Sequence, residues 1–127
     1  MSLIPLSANL KENKLEGQNY IEWKQNLVIV LTAEEYKFVL TTPQPPVPAA
    51  NASVGVQNAH KRWHKANEMA KCYMLASMSS LLKHQHSSMA TAAEIMQNLA
   101  NLFGTQNRTA KSQAFRSIMT KTMRQHL

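Results

Sequence analysis

The sequence predicts an all-α protein, a bundle of about five helices with a proline-rich loop between the second and third. Three observations support this class: apolar residues recur at helical spacing, capping residues precede several of these segments, and no segment alternates apolar with polar residues at period two. With 127 residues and 44% hydrophobic content, the chain is sized for one domain with a core, or for a small domain plus an arm.

Residues 1–14 are predicted to be a flexible N-terminal arm, and residues 15–40 a first pair of helices. Gly17 permits a sharp entry into the first helix. Asn19 is a favoured N-cap, and Glu22 three residues later completes a variant of the capping box. We expect the helix over residues 20–31. Its apolar face consists of Tyr20, Trp23, Leu27, Val30 and Leu31.

A second capping box predicts the second helix, and prolines predict the end of the pair. Thr32 and Glu35 have the Thr-x-x-Glu spacing, which predicts a short helix to about Leu40. Residues 41–55 follow as a linker, with four prolines among residues 43–48 that remove backbone donors and favour an extended course.

Residues 56–127 are predicted to form a basic part of three helices. The first is the longest, with Trp63 on its apolar face, and runs to about Leu82 before a polar turn over residues 83–88. A capping box at residues 91–94 opens the next helix, and Gly104 stands where a C-terminal cap glycine belongs. The last helix runs from about residue 109 to the end.

Charge is unevenly distributed along the chain. Residues 1–50 carry four lysines and five glutamates, a net charge of −1, whereas residues 51–127 carry ten Lys or Arg and two Glu, a net charge of +8. All five histidines lie in this second part. A basic surface attracts polyanions, of which nucleic acid is the usual one in a cell. A solvated helical surface without a partner is the other interpretation.

The composition argues against an enzyme and against a bound cofactor. The chain has no aspartate, and its seven acidic residues are all glutamate. Few carboxylates are therefore available to form the pair that acid–base catalysis uses. Three glycines, none in a Gly-rich motif, cannot form a phosphate-binding loop. We therefore predict no catalytic residues, no cofactor and no small-molecule substrate.

Histidine and cysteine do not form a metal-site pattern either. His60 and His64 share one helix face, but Lys61 and Arg62 between them would repel a cation, so we predict no metal and expect the histidines to extend the basic face. Cys72 is the single cysteine, which excludes an internal disulfide and is typical of a cytoplasmic, intracellular protein. We expect it to be a small buried filler.

Residues 15–23 have the pattern Leu-x-Gly-x-Asn-Tyr-x-x-Trp, which resembles the amino-terminal segment of Gag polyproteins from copia-type LTR retrotransposons. Residues 63–70, 91–104 and 106–122 are similar to later Gag segments in the same order. Met96 stands where the family commonly has Trp. The family pattern continues beyond Leu127 with further helices and often a zinc knuckle, so the resemblance implies a truncated Gag.

The resemblance implies a non-catalytic, capsid-like protein that self-associates into an oligomer or particle and packages element RNA. No membrane partner is expected, since no apolar run approaches the roughly 20 residues that cross a bilayer. The nucleic-acid contacts that we predict are Lys61, Arg62, Lys65, Arg108, Lys111, Arg116, Lys121 and Arg124. The structural anchors that we predict are Gly17, Asn19, Tyr20, Trp23, Leu27 and Trp63.

A different function also fits the basic half of the chain. Residues 91–124, with Gly104 in the connection, have the length of a helix-turn-helix. In that interpretation the chain is a stand-alone basic helical module, derived from such an element, that binds nucleic acid or acts as a regulator.

Overall fold

The computed structural model describes residue 10 and residues 12–104, and this part of the chain is all-α, as predicted. It has four α-helices: α1 at Tyr20–Ala33, α2 at Val54–Ala76, α3 at Ser80–His86 and α4 at Ala92–Leu99. A 3₁₀ turn at Lys37–Leu40 follows α1, and a π-helical turn at Ala100–Gly104 follows α4. The predicted last helix lies outside the described residues, as does most of the predicted arm.

The turn before α1 depends on Gly17 and Asn19. Gly17 has a φ of +132°, and a Cβ at this position would lie 3.3 Å from the Phe103 ring, so only glycine suits the site. Asn19 occupies the N-cap position, but its side chain accepts from the Glu16 amide at 3.0 Å and donates to the Lys14 carbonyl at 2.9 Å. The predicted Asn19 capping box is therefore wrong: the side chain braces the preceding turn instead.

The predicted helix start at Thr32 is also wrong. α1 continues through Ala33, and the Thr32 hydroxyl donates to the Val28 carbonyl at 2.7 Å, one turn back. Threonine inside a helix often makes this bond, which removes it from capping. The chain then passes through Glu35 with a φ of +64° into the 3₁₀ turn, so the second predicted α-helix is a single short turn.

The long helix predicted to end at Leu82 is broken at residues 77–79. α2 ends at Ala76, and α3 begins after Ser79, whose Oγ accepts from the Leu82 amide at 3.5 Å. Leu15 pairs with this break: its amide donates to the Ser77 carbonyl at 2.8 Å, and its carbonyl accepts from the Ser79 amide at 2.9 Å. A distant segment thus supplies partners for backbone groups that a continuous helix would satisfy internally. Residues 83–86, predicted as a polar turn, belong to α3.

α4 begins where the sequence predicted. The Thr91 hydroxyl accepts from the Glu94 amide at 3.1 Å, which confirms the side-chain cap at this site. The Glu94 carboxylate reaches back to the Ala90 amide at 3.2 Å. Gly104, however, is not a left-handed cap: α4 ends at Leu99, and Gly17 is the glycine with positive φ in the described part of the chain.

One hydrophobic core joins elements from both sides of the proline-rich segment. The residues that form its centre, each with at most 1% exposure, are Leu15, Trp23, Leu27, Val30, Leu31, Val39, Ala70, Met74, Met78, Ala92, Ile95 and Leu99. Residues 43–49, which contain four of the five prolines of the chain, adopt no regular secondary structure. Among the described residues, no helix is both long enough and apolar enough to span a membrane.

The predicted anchors lie in or beside this core. Tyr20, Trp23, Leu27 and Trp63 are buried, Gly17 is buried in the turn, and Asn19 is half-buried beside it. Burial raises the pKa of the Tyr20 phenol above its ordinary value of 10.0. Because the raised pKa belongs to the folded state, the protonated phenol favours folding below about pH 10, and this contribution falls as the pH rises further.

Candidate nucleic-acid interface

α2 presents two different faces, and the basic residues lie away from the core. Trp63, Ala66, Ala70 and Met74 are buried at spacings of three and four residues, so they fix which way the helix turns. Lys61, Arg62 and Lys65 are exposed on the remaining surface, and we call them the basic stripe. Lys61 and Lys65 are one turn apart, which places their Cβ atoms about 5–6 Å from each other.

The start of α2 is held by local hydrogen bonds in the segment that follows the prolines. The Ser53 Oγ caps the helix by accepting from the Val56 amide at 3.2 Å. The Gln57 side-chain amide donates to the Ala52 carbonyl at 2.8 Å. These contacts tie the last linker residues to the first turn of α2, one to two turns before the basic stripe.

The 3₁₀ turn and the residues just after it contact α2 at Arg62 and Trp63. The Arg62 guanidinium carbon lies 4.9 Å from the centre of the Phe38 ring, a cation–π contact. The Trp63 indole N–H donates to the Thr42 hydroxyl at 2.9 Å. The cation–π contact places the Arg62 guanidinium against the Phe38 ring while the residue stays exposed. A guanidinium carries five N–H donors, so it can bind an acceptor such as phosphate from the solvent side.

The charge of the basic stripe is not neutralised by the described residues. Within residues 12–104, the Lys71 Nζ forms an ion pair with the Glu68 Oε1 at 3.8 Å. Lys61, Arg62 and Lys65 form no ion pair with any described residue. Glu68 is the nearest acid along the helix, three positions beyond Lys65, and it is engaged with Lys71 instead.

The other five predicted contacts lie outside the described residues: Arg108, Lys111, Arg116, Lys121 and Arg124. The sequence nevertheless shows that the net positive charge lies mainly in residues 105–127. Residues 12–104 contain eight Lys or Arg and all seven Glu, a net charge of +1, whereas residues 105–127 contain five Lys or Arg and no acid. The described body is close to neutral, so its basic stripe is a local feature.

His60 and His64 form a tilted ring pair on α2, and both residues are half-buried. Their ring centres are 4.3 Å apart, and the centres of the His64 and Trp63 rings are 5.2 Å apart with the two rings nearly perpendicular. The buried Nε2 of His60 has no hydrogen-bond partner among the described residues. The described part of the chain has no group of three side chains that could hold a metal ion.

His86 contradicts the prediction that the histidines extend the basic face, because it is fully buried. Its Nδ1 lies 2.8 Å from the Leu82 carbonyl and donates to it, while its Nε2 accepts from the Asn98 side-chain amide at 2.8 Å. This neutral tautomer satisfies both ring nitrogens and links α3 to α4. Cys72 contradicts its prediction in the opposite sense, since the expected buried filler is exposed on α2.

Sequence reasoning missed Asn67, a buried polar residue on the core face of α2. Its side-chain amide donates to the Ala90 carbonyl at 3.1 Å and its Oδ1 accepts from the Ala92 amide at 2.8 Å, so it joins α2 to the start of α4. An asparagine between apolar positions 63, 66 and 70 was the available signal. Its partners are more than twenty residues away and leave no local pattern.

No protein-family model, no curated protein sequence and no solved structure matches this chain.

Proposed function

We propose that the chain is a non-catalytic structural protein, similar to a copia-type Gag, that self-associates and binds RNA. The ordered resemblance at residues 15–23, 63–70, 91–104 and 106–122 supports this proposal. The all-α fold of the described residues is compatible with a capsid-like unit. The proposal that the chain binds RNA rests on the basic stripe, which is exposed and has no ion pair with a described residue.

The proposed mechanism is electrostatic. Lysine and arginine that approach phosphates release condensed counterions, which favours binding without a need for sequence readout. In this proposal the stripe of α2 and the basic residues 105–127 offset RNA charge. The near-neutral body lets neighbouring copies approach each other with little repulsion, since strong like charge opposes association.

The RNA-binding part is tested by the salt dependence of affinity for a single-stranded RNA. We expect the double variant Lys61→Gln with Lys65→Gln to bind more weakly. The slope of log K against log salt should fall in magnitude by about 1.4, since each lost phosphate contact on a single strand contributes about 0.7. The matched control is Lys14→Gln with Lys83→Gln, which removes two exposed charges outside the stripe and should leave the slope close to that of the parent.

The assembly part is tested by light scattering of the full chain with and without RNA across the same salt series. We expect particles larger than the monomer, with RNA raising their mass at low salt. A chain that stays monomeric at high concentration and binds no RNA would contradict the proposal. Strong preference for one duplex sequence over another would instead favour the basic regulatory module.

A further inference from the structure

The sequence limits the proline-rich segment to an extended conformation. Residues 42–48 read Thr-Pro-Gln-Pro-Pro-Val-Pro, so each of them is a proline or directly precedes one. Proline fixes its φ at about −65°, and the residue before a proline is pushed out of the α region. A polyproline II helix has such backbone angles, three residues per turn and no internal hydrogen bonds. The lack of regular secondary structure over residues 43–49 agrees with this conformation.

The exposure of the segment repeats with the same three-residue period. Residues 43, 44, 46 and 47 are exposed, whereas Pro45 and Pro48 are half-buried. Three residues per turn place Pro45 and Pro48 on one side of the segment, toward the body of the protein. The dipeptides Pro43-Gln44 and Pro46-Val47 occupy the other two sides, and Val47 keeps 85% of its surface exposed.

Both ends of the segment are bonded to the rest of the protein. At the first end, the Thr42 hydroxyl accepts from the Trp63 indole at 2.9 Å. At the other end, the Ala52 amide donates to the Ala49 carbonyl at 2.9 Å, and the Ala52 carbonyl accepts from the Gln57 side chain at 2.8 Å. A segment that is held extended before binding loses less conformational entropy when a partner docks.

Protein domains that bind proline-rich segments recognise this conformation. Pro43 and Pro46 have the Pro-x-x-Pro spacing, and segments with this spacing dock as polyproline II helices into the aromatic-lined grooves of SH3 and WW domains. A ligand helix with three sides can lay two of them in a groove while the third points away. The two exposed sides of this segment meet that requirement without any change in its half-buried side.

The absence of charge selects among such domains. No lysine, arginine, aspartate or glutamate occurs from residue 38 to residue 60. SH3 domains add an acidic pocket for a basic residue that flanks the prolines in the ligand sequence, and this segment offers none. An aromatic groove without a charged pocket therefore suits the segment better.

We propose that residues 43–47 are a docking site for a protein domain with an uncharged, aromatic-lined groove of the WW type. The domain contacts the dipeptides Pro43-Gln44 and Pro46-Val47. Burial of proline rings and of Val47 against aromatic side chains supplies the free energy. This interaction does not depend on whether the chain binds RNA or self-associates.

Isothermal titration calorimetry of the full chain with a purified WW domain tests the proposal. We expect saturable binding, which Pro43→Ala with Pro46→Ala should weaken about tenfold or more, because the two rings that enter the groove are lost. The matched control is Pro45→Ala with Pro48→Ala, which removes two prolines from the half-buried side and should weaken binding far less. Circular dichroism of both variants should match the parent, which shows that the helical body is intact.

Three outcomes would overturn the proposal. The first is no binding of the WW domain, and the second is an equal loss in the two double variants, since binding would then not depend on the exposed sides. The third is loss of binding at high salt or tighter binding to a purified SH3 domain, because either would assign the contact to charged groups such as the basic stripe.

Discussion

Trp23 on α1 and Trp63 on α2 are buried to a similar degree but differ in what their indole N–H groups meet. Their exposed fractions are 1% and 5%. The Trp23 N–H donates to the Ser77 carbonyl at 3.1 Å and to the Ser77 Oγ at 3.0 Å, inside the core. The Trp63 N–H donates to the Thr42 hydroxyl, on an exposed residue at the edge of the proline-rich segment.

Because the two rings are similarly buried, a difference in stability between the two sites should come from the indole hydrogen bonds and not from the burial of apolar surface. Both rings remove similar apolar surface from water, so the hydrophobic terms should be comparable. Ser77 is 1% exposed, so water cannot replace the Trp23 hydrogen bond if it is lost, whereas water can reach Thr42. Ser77 directly follows the last residue of α2, and its carbonyl also accepts from the Leu15 amide. The Trp23 hydrogen bonds to Ser77 therefore support the break between α2 and α3.

The largest effect is expected for Trp23→Phe, with Trp63→Phe as its matched partner. We expect Trp23→Phe to lower the free energy of unfolding by about 2–4 kcal/mol, from the lost ring volume, the cavity and a buried hydrogen bond. Trp63→Phe should cost about 1 kcal/mol less, because solvent can replace its hydrogen bond. Urea denaturation followed by circular dichroism, with m-values compared, measures both. If both variants lose the same free energy of unfolding, the burial of Ser77 and the exposure of Thr42 do not make the two hydrogen bonds differ in strength.

The sequence predicted local features of the fold better than features that depend on distant partners. Thr91 was predicted correctly as a cap because the whole motif is contained in four residues. Thr32 has the same spacing with Glu35, yet it bonds back to Val28 because the core holds α1 helical through Ala33. The break at residues 77–79 left no local signal, since its backbone partner is Leu15, more than sixty residues earlier.

A smaller effect is expected for Ser77→Ala, which removes one of the two acceptors of Trp23. The Ser77 Oγ also donates to the Tyr73 carbonyl at 2.7 Å and to the Met74 carbonyl at 3.1 Å. The variant therefore loses three hydrogen bonds, two of which share the hydroxyl hydrogen, but keeps the Ser77 carbonyl as an acceptor. We expect a loss of about 1 kcal/mol, the usual net value for a buried hydrogen bond. Thermal and urea unfolding measure this loss. The control is Ser88→Ala, measured in the same way, because Ser88 is exposed. An unchanged stability would show that the carbonyl alone satisfies the indole.

The candidate interface was predictable in part for the same reason. Helical spacing was enough to place Lys61 and Lys65 away from the face that Trp63 marks, and all three residues of the stripe are exposed. The contact of Arg62 with Phe38 was not predictable, because it depends on how the 3₁₀ turn packs against α2. His86 was misassigned for a related reason: its burial depends on Asn98 of another helix.

The smallest effect is expected for Thr42→Val, which keeps the shape of the side chain and removes the acceptor of Trp63. Thr42 is exposed, and its hydroxyl also donates to the Phe38 carbonyl at 2.7 Å near the surface. Water can serve both groups, so we expect the free energy of unfolding to change by less than about 0.5 kcal/mol, as for most surface substitutions. Urea unfolding of this variant beside Thr41→Val, at the neighbouring exposed threonine, measures the difference. A loss above about 1 kcal/mol would mean that the Trp63 N–H is shielded from solvent, in the range for an unsatisfied buried donor. The two tryptophans would then be equivalent. The solvent exposure of the hydrogen-bond partner, Ser77 or Thr42, would not distinguish them.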